Sequence, residues 1–409
     1  MRRKYLFYTL AFLSGAFTSL MVAMDIWISA KLIPDIWIFG ISILWAGVYI
    51  HAFLLPILSL KIYENRPIGH FIDPLFKGVF VPSGKVLHYL IIASLGNAIA
   101  SLTYFFLIDI MPDPSAVLPF SSVVIIYLII GDMIIEKESP SIAEIEGLFM
   151  ILIGVILVSF SRGRIDPISL LLVLGPMNFG SFLYNYGQRK AKIFGRKIGQ
   201  CDSINFRFWS LLFTTLIFSL LLLIFYISPQ IVLLGIYYSV VYFLPLAIDM
   251  VITFFAAVFY IRALGMGKMS IVNALSSTSV VIGLPLTLVL SFYFPEVYKI
   301  PEMTGLFLYL RSIGVILVFL GIIGISLSEV TAYILIRSRP GYSSKLLEEI
   351  IRIRGVESVA AIVGRYDFIV RVRTRAYSKA YDTVLRKIIQ LEGIEDVHWV
   401  SVLKEWERI

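Results

Sequence analysis

Apolar residues in this chain gather in long runs up to Leu327 and alternate singly beyond it. The runs fall at 5–24, 36–59, 86–108, 114–133, 143–161, 167–187, 207–227, 237–261, 269–292 and 303–327. Each is close to the length, about 20 residues, that a helix needs to cross a hydrocarbon core, so ten membrane helices are expected. From Ala332 onward a period of two replaces the runs, in Tyr333–Arg337, Glu357–Val363 and Tyr366–Arg373. That period marks half-buried strands. Two segments of helical period intervene, Ser343–Arg354 and Tyr377–Leu391, each closed by a glycine, Gly355 and Gly393, the residue that most easily takes the left-handed stop. A last strand over Asp396–Lys404 completes the order β-α-β-β-α-β.

The apolar part is written twice. Ile153-Gly154-Val155-Ile156-Leu157-Val158 returns as Ile313-Gly314-Val315-Ile316-Leu317-Val318, and Gly147-Leu148-Phe149 returns as Gly305-Leu306-Phe307. Ser121-Ser122-Val123-Val124 is echoed by Ser276-Ser277 and Ser279-Val280-Val281, and Met111 to Ser115 by Met266 to Ser270. Echoes in one order, at a spacing of about 155 to 160 residues, imply an internal duplication. Ten helices then form two sets of five. An odd set makes the second enter the membrane from the opposite side, an inverted repeat of the kind common in secondary transporters. The expected fold class is an α-helical polytopic membrane protein with a C-terminal α+β ferredoxin-like (βαββαβ) domain. Its divisions are 1–165 and 166–330 for the two repeats and 331–409 for the soluble domain.

Charge sets the orientation. Sixteen Lys and Arg residues fall on the side of the N-terminus, among them Arg2, Arg3, Lys4 and the group from Arg189 to Arg207. The other side holds Lys31, Arg162, Arg164 and Lys299. That excess predicts a protein of the cell membrane with both termini in the cytoplasm. Met1-Arg2-Arg3-Lys4 before an apolar run resembles a signal peptide, but the run is long and lacks a small-x-small cleavage site, so a retained first helix is expected. Two loops on the basic side are long. Lys61–Lys85 is rich in Pro and Gly; Arg189–Arg207 reads as a membrane-surface anchor ahead of a binding site, and as the join between repeats it is where a hinge would fall. With 59% hydrophobic and 15% charged residues, the chain departs from soluble domains and membrane lipid is its first expected partner. Cys201 is the one cysteine, which excludes an intrachain disulfide.

No enzyme is expected. His51, His70, His88 and His398 are scattered and lack metal-ligand spacing to any Cys. No Gly-rich phosphate loop leads into Lys-Ser/Thr, so neither a cofactor, a metal nor an ATP-driven step is expected. Polar groups inside apolar runs are costly and mark function by default. Asp249 lies mid-run in Leu244–Thr253, and Arg311 lies about two turns into the last run. They form a structural ion pair or couple protons or substrate to transport; both readings stand. Asn97, Ser101 and Tyr104 share one side of the third helix. Ser121 and Ser122 lie in the fourth run, Asn178 and Asn185 in the sixth, and Asn273, Ser276 and Ser277 in the ninth. Each is interhelical glue or a substrate contact, and together they sketch a polar pocket. Pro176, Pro245 and Pro285 are expected to interrupt three helices and free carbonyls for that pocket. In the tail, Phe368, Val370 and Val372 share a face that two helices can cover. Val359, Ala361 and Val363 are then expected on the opposite face, to be closed by a second copy or by the membrane part.

The five-helix unit carries Pro119-Phe120-Ser121-Ser122-Val123-Val124, then Gly131-Asp132, then the glycine-bearing run ending in Ile153 to Val158. This arrangement resembles the drug/metabolite transporter superfamily, in its ten-helix EamA-like members, over about residues 1–327. Those members usually show Gly-Glu where this chain has Gly131-Asp132. Gly364-Arg365-Tyr366-Asp367, Pro340-Gly341, Gly355-Val356 and Gly393-Ile394 are similar to the ligand-binding domain of the Lrp/AsnC family of amino-acid-responsive regulators. That resemblance implies pairing through the sheets and capture of a small effector, with Gly364, Tyr366 and Asp367 as the domain's motif. Such regulators also carry a helix-turn-helix, for which the short join between last run and first strand leaves no room, so no nucleic-acid partner is expected. The two resemblances together imply a secondary exporter of a small organic metabolite, such as an amino acid or amine, working as a homodimer under control of its cytoplasmic effector domain. The alternative is a membrane-anchored sensor or scaffold without transport.

Overall fold

Backbone groups in an apolar run have no water to bond, so the runs close their hydrogen bonds internally and become helices. Helices α1 (Arg3–Lys31) and α2 (Ile36–Ser59) take up the first two. Asp35 caps the second, its Oδ1 accepting from the amides of Trp37 and Ile38 at 2.9 and 3.0 Å. The Pro- and Gly-rich stretch that follows forms a hairpin, β1 (Lys61–Tyr63) and β2 (Arg66–Pro67), and a single turn, α3 (Gly69–Ile72). Then come α4 (Gly84–Ile110), α5 (Ile125–Glu136) and α6 (Ile142–Ser159). A π turn over Val173–Met177 leads into α7 (Asn178–Ile198), followed by α8 (Ser203–Tyr226), α9 (Pro229–Val241) and α10 (Phe243–Leu264). Helices α11 (Met269–Ser276), α12 (Thr278–Tyr293) and α13 (Gly305–Leu327) complete the apolar part.

The computed structural model describes residues 3–63, 65–110, 123–136, 142–159, 171–226, 228–298, 305–327, 330–353, 355–374 and 384–401. The chain divides into two units, Met1–Asp132 with Gly147–Ile323, and Met133–Glu146 with Gly324–Ile409. Six spans among the described residues are long and apolar enough to cross a membrane: Leu6–Lys31, Ile36–Ser59, Gly84–Asp109, Ser203–Ile224, Phe243–Leu264 and Met269–Tyr293. The fourth, fifth, sixth, seventh and tenth predicted runs fall partly on residues outside the described ones.

Three expectations need correction. The run 237–261 joins two elements, because the chain turns at Tyr242 between α9 and α10. The segment Arg189–Arg207 is not a loop: α7 continues to Ile198, where Gly199 at φ 74° stops it, and Arg207 lies inside α8. Of the three prolines, Pro176 and Pro245 sit at interruptions, Pro176 within the π turn and Pro245 in the first turn of α10, three residues past Tyr242, where it cannot donate back to Val241 and so keeps α9 from continuing. Pro285 lies within a continuous α12. The break in that region comes instead at Ser277, whose amide bonds back to the carbonyls of Asn273 and Ala274. Asp132 fixes the start of α11, accepting from the amide and hydroxyl of Ser270 at 2.9 and 2.7 Å.

Glycine lets two helix pairs meet backbone to backbone. A Cβ added at Gly180 of α7 would sit 2.5 Å from the Gly96 carbonyl oxygen and 2.8 Å from the Ala100 nitrogen of α4. The repeated hexapeptides also meet: a Cβ at Gly154 would lie 2.6 Å from the carbonyl oxygen of Gly314 and 2.8 Å from the Val318 side chain.

The C-terminal sheet has the order β4-β5-β3-β6, all pairs antiparallel. Its strands are β3 (Val330–Ser338), β4 (Val356–Ala361), β5 (Phe368–Thr374) and β6 (Ile394–Ser401). Helix α14 (Ser343–Ile351) and the described part of the second predicted helix, α15 (Arg386–Ile389), cover one face. The core joins Ile334, Ile336, Phe368, Val370 and Val372 to Leu346, Ile350 and Ile388. The expected grouping of Phe368, Val370 and Val372 is therefore right, but the placement of Val359, Ala361 and Val363 is not. Val359 pairs with Val370 and Ala361 with Phe368, so both face the helices, and Val363 lies exposed in the turn beyond the strand. The cause is a register shift between Val356 and Ser358, an extra residue that reverses the alternation after it. Tyr333, Leu335, Ile369, Arg371 and His398 alternate onto the other face.

The close approach at Gly180 predicts that Gly180→Leu destabilises the helical unit by roughly 1–3 kcal/mol through overpacking. Gly305→Ala, where a new Cβ meets nothing within 4 Å, should leave the melting temperature in detergent unchanged. Equal melting temperatures for both variants would refute the contact.

Candidate functional site

Helical spacing turns scattered polar residues into stripes. On α1 Ser14, Thr18, Met21 and Asp25 recur at every third or fourth position, as do Asn97, Ser101 and Tyr104 on α4. These stripes converge on a cavity of about 330 Å³ in the helical unit. Helix α7 adds Ser181, Tyr184 and Asn185, α8 adds Arg207, α10 adds Thr253 and Tyr260, and the α11 break adds Asn273, Ser276 and Ser277.

Much of this lining is internally bonded. The Tyr104 hydroxyl donates to Asp25 Oδ2 at 2.5 Å. The Tyr260 hydroxyl donates to Asn185 Oδ1 at 2.6 Å, while Asn185 Nδ2 donates to the Ser181 carbonyl at 2.7 Å. Asn97 Nδ2 reaches Thr214 Oγ1 at 3.3 Å, and Ser276 Oγ reaches the Ala11 carbonyl at 3.3 Å. Two groups differ. Asp249 is fully buried next to Asp25, yet neither of its oxygens attains hydrogen-bond geometry with a described residue. Arg207 is 6% exposed and its Nε has no hydrogen-bond partner among the described residues.

Of the residues predicted from sequence, Asn97, Ser101, Tyr104, Asn185, Asn273 and Ser276 line the cavity. Asp249 lies behind Asp25, and Asn178 is buried away from the lining. Ser121 and the Arg311 side chain lie outside the described residues, so the Asp249–Arg311 pair has no geometry here. Sequence reasoning missed Asp25, Tyr184, Arg207 and Tyr260. Asp25 falls one residue past the predicted run, although the stripe from Ser14 continues to it. Arg207 counted as a loop cation because it stands at the first residue of its run.

The entry of α8 is what brings Arg207 inward. Asp202 is its N-cap, accepting from the Asn205 amide at 2.8 Å. Asp73 Oδ2 accepts from the Ser203 amide at 2.7 Å. Lys192 Nζ donates to the Cys201 carbonyl and to Ser203 Oγ, both at 2.7 Å, and lies 4.0 Å from Asp73. Burial pushes the Asp73 carboxyl up, but Lys192 and the amides of Ser203 and Leu75 outweigh it and hold the group below its ordinary range. For Asp202 burial prevails over the Asn205 bonds, and the carboxyl is pushed up from 3.8 to about 6.

In the C-terminal unit the predicted motif forms the turn between β4 and β5. Gly364 takes φ 152°, open to glycine. The Tyr366 ring stacks on His398 with centroids 6.3 Å apart. Asp367 Oδ2 accepts from the amide and hydroxyl of Ser338 at 2.6 and 3.0 Å, which lowers its pKa and ties the turn to the end of β3.

Residues 331–408 match the family profile of the Lrp/AsnC ligand binding domain. The C-terminal segment is an Lrp/AsnC ligand-binding domain. The match does not extend to the helical residues before it. No curated protein matches the chain. Among solved structures, TTHA0845 from Thermus thermophilus is 30% identical, covering 19% of this chain and 99% of that one, with a TM-score of 0.19. PH0061 is 25% identical over 31% of this chain and 93% of its own, with a TM-score of 0.19. A third, described only as a protein, is 16% identical over 79% of this chain and 94% of its own, with a TM-score of 0.45. The Lrp/AsnC domain accounts for the βαββαβ order, and membrane-capable helices precede it.

Asp202 gives a pH test of the α8 entry. Its raised pKa means that the folded chain keeps a proton the unfolded chain has lost above 3.8. Its contribution is therefore fully present below that value and is lost as pH rises through about 6. The loss is on the order of 3 kcal/mol. Asp202→Asn keeps a capping oxygen without the titration, so its melting temperature should fall less than the wild type's between about pH 4 and pH 7. Parallel pH profiles would rule this out.

Proposed function

We propose that this protein is a secondary transporter, of the ten-helix EamA-like kind with two inverted repeats, that exports a small organic metabolite such as an amino acid or amine. Its Lrp/AsnC domain binds a small effector in the cytoplasm, where both termini lie, and adjusts export from the cell to the internal pool. The observation that carries the reading is the cavity. Polar stripes from separate apolar helices converge on it, and it includes two buried residues of opposite type, Arg207 and Asp25, neither in an ion pair among the described residues. A helix bundle serving only as an anchor has no use for such groups, which are costly among apolar helices.

The second reading, a membrane-anchored sensor without transport, draws on the Lrp/AsnC domain alone. Counterflow of labelled amino acids and amines in proteoliposomes separates the two. We expect saturable counterflow whose pH dependence disappears in Asp249→Asn at unchanged protein level. A variant with normal pH dependence removes the coupling role, and absence of counterflow for every solute favours the sensor.

The uncovered sheet face, with Tyr333, Leu335 and Ile369 on it, supports a homodimer through the Lrp/AsnC domain. Leu335→Arg places a charge on that face and should convert a dimeric species to a monomeric one in light scattering. An unchanged mass would exclude this interface.

A further inference from the structure

Resting on the reading of the cavity as a substrate site, we propose that its ligand carries two opposite charges held apart by a carbon chain. A carboxylate seats on Arg207 and an amine on Asp25, which Asp249 backs, as basic or ω-amino acids provide. Arg207 is the starting point. Its side chain is buried, lines the cavity, and forms no ion pair among the described residues. The groups in its field, Tyr184 and His51, supply no negative charge. A guanidinium stays charged, and leaving it buried and unpaired is strongly unfavourable. Its planar fork of donors matches a carboxylate in two parallel bonds.

The opposite pole is acidic. Asp25 is 3% exposed, lines the cavity and accepts one hydrogen bond, from Tyr104. Asp249 stands behind it, its carboxyl against that of Asp25, and neither of its oxygens has another partner among the described residues. No described Lys or Arg lies within ion-pair distance of either carboxyl. An ammonium group with its three donors meets these acceptors.

Helix register gives the spacing. Thr215 of α8 reaches the Leu44 carbonyl of α2, and Leu211 sits over Gly47, where Met250 of α10 also packs. Arg207, four residues before Leu211, therefore lies near the level of His51, whose ring meets that of Phe254 on α10 with centroids 5.3 Å apart. Asp249 precedes Phe254 by five residues, about 8 Å along the axis at 1.5 Å per residue. The ammonium and carboxylate of an α-amino acid share one carbon and do not reach both poles. A chain of several carbons between the charges does.

The test is thermal stabilisation of purified full-length protein by 6-aminohexanoate and L-lysine, against hexanoate, 1,5-diaminopentane and L-leucine. A ligand that binds the native state raises the melting temperature by mass action. Stabilisation by the first two at concentrations at least tenfold lower than by the other three is expected. Arg207→Gln should weaken 6-aminohexanoate at least tenfold while leaving 1,5-diaminopentane unchanged, and Asp249→Asn should weaken both amines. Arg207→Lys, which retains the charge, guards against loss of folding and should keep part of the response. Stabilisation by leucine or hexanoate equal to that by 6-aminohexanoate overturns the proposal. So does a lysine response untouched by Arg207→Gln and Asp249→Asn, which would place binding in the Lrp/AsnC domain. Counterflow of an unrelated solute with no response to either two-charge probe overturns this ligand while sparing transport. Cavity-dependent binding without any counterflow supports the ligand and overturns transport alone.

Discussion

A polar group among apolar helices has no water to turn to, so it must be met by another protein group. Most of the helical unit obeys this locally, and the bonds that satisfy it also fix helix register. Ser14 Oγ donates to the Ala256 carbonyl, Ser42 Oγ to that of Gly235, and Ser94 Oγ to that of Ser210, each bond crossing between helices. Against that background the exceptions are informative. Among the described residues, Arg207 and Asp249 retain unmet capacity beside the same cavity. On the transport reading proposed above, a ligand in the cavity meets Arg207 directly and Asp249 through Asp25.

Holding such groups in place takes rigid neighbours. Arg207 stands one turn past a helix start that Asp73, Lys192 and Asp202 secure through four short hydrogen bonds. Asn273 and Ser276 stand at the end of α11, whose start Asp132 secures from another helix. Both arrangements use carboxylates to satisfy amide groups at helix N-termini, which have no partner inside their own helix. The cavity lining is therefore anchored in part from outside the cavity, at the starts of α8 and α11.

Length and apolarity made the helical part readable from sequence, because a run near the width of a membrane has few alternatives to a helix. Period-two alternation and closing glycines likewise made βαββαβ readable. What escaped were features decided by a single residue. Asp25 lies one position beyond a run boundary, and Arg207 lies on another. The bulge in β4 turned Val359 and Ala361 to the helices, since one inserted residue reverses every side chain after it. The break at Ser277 carries no proline and leaves no mark in the local pattern, whereas the one at Tyr242 follows from Pro245 three residues on. Half of the site was visible as Asn97, Tyr104, Asn185, Asn273 and Ser276. The charged half was hidden because helix ends are where sequence boundaries are least sharp.

The contact between Gly154 and Gly314 bears on how this chain can change over time. The two copies of the hexapeptide press against each other, so a side chain gained at the first would strike the backbone of the second. Neither copy can drift alone at this seam. A shared surface preserves the likeness where it is mechanically enforced, which makes the most visible trace of repetition a record of touch more than of ancestry.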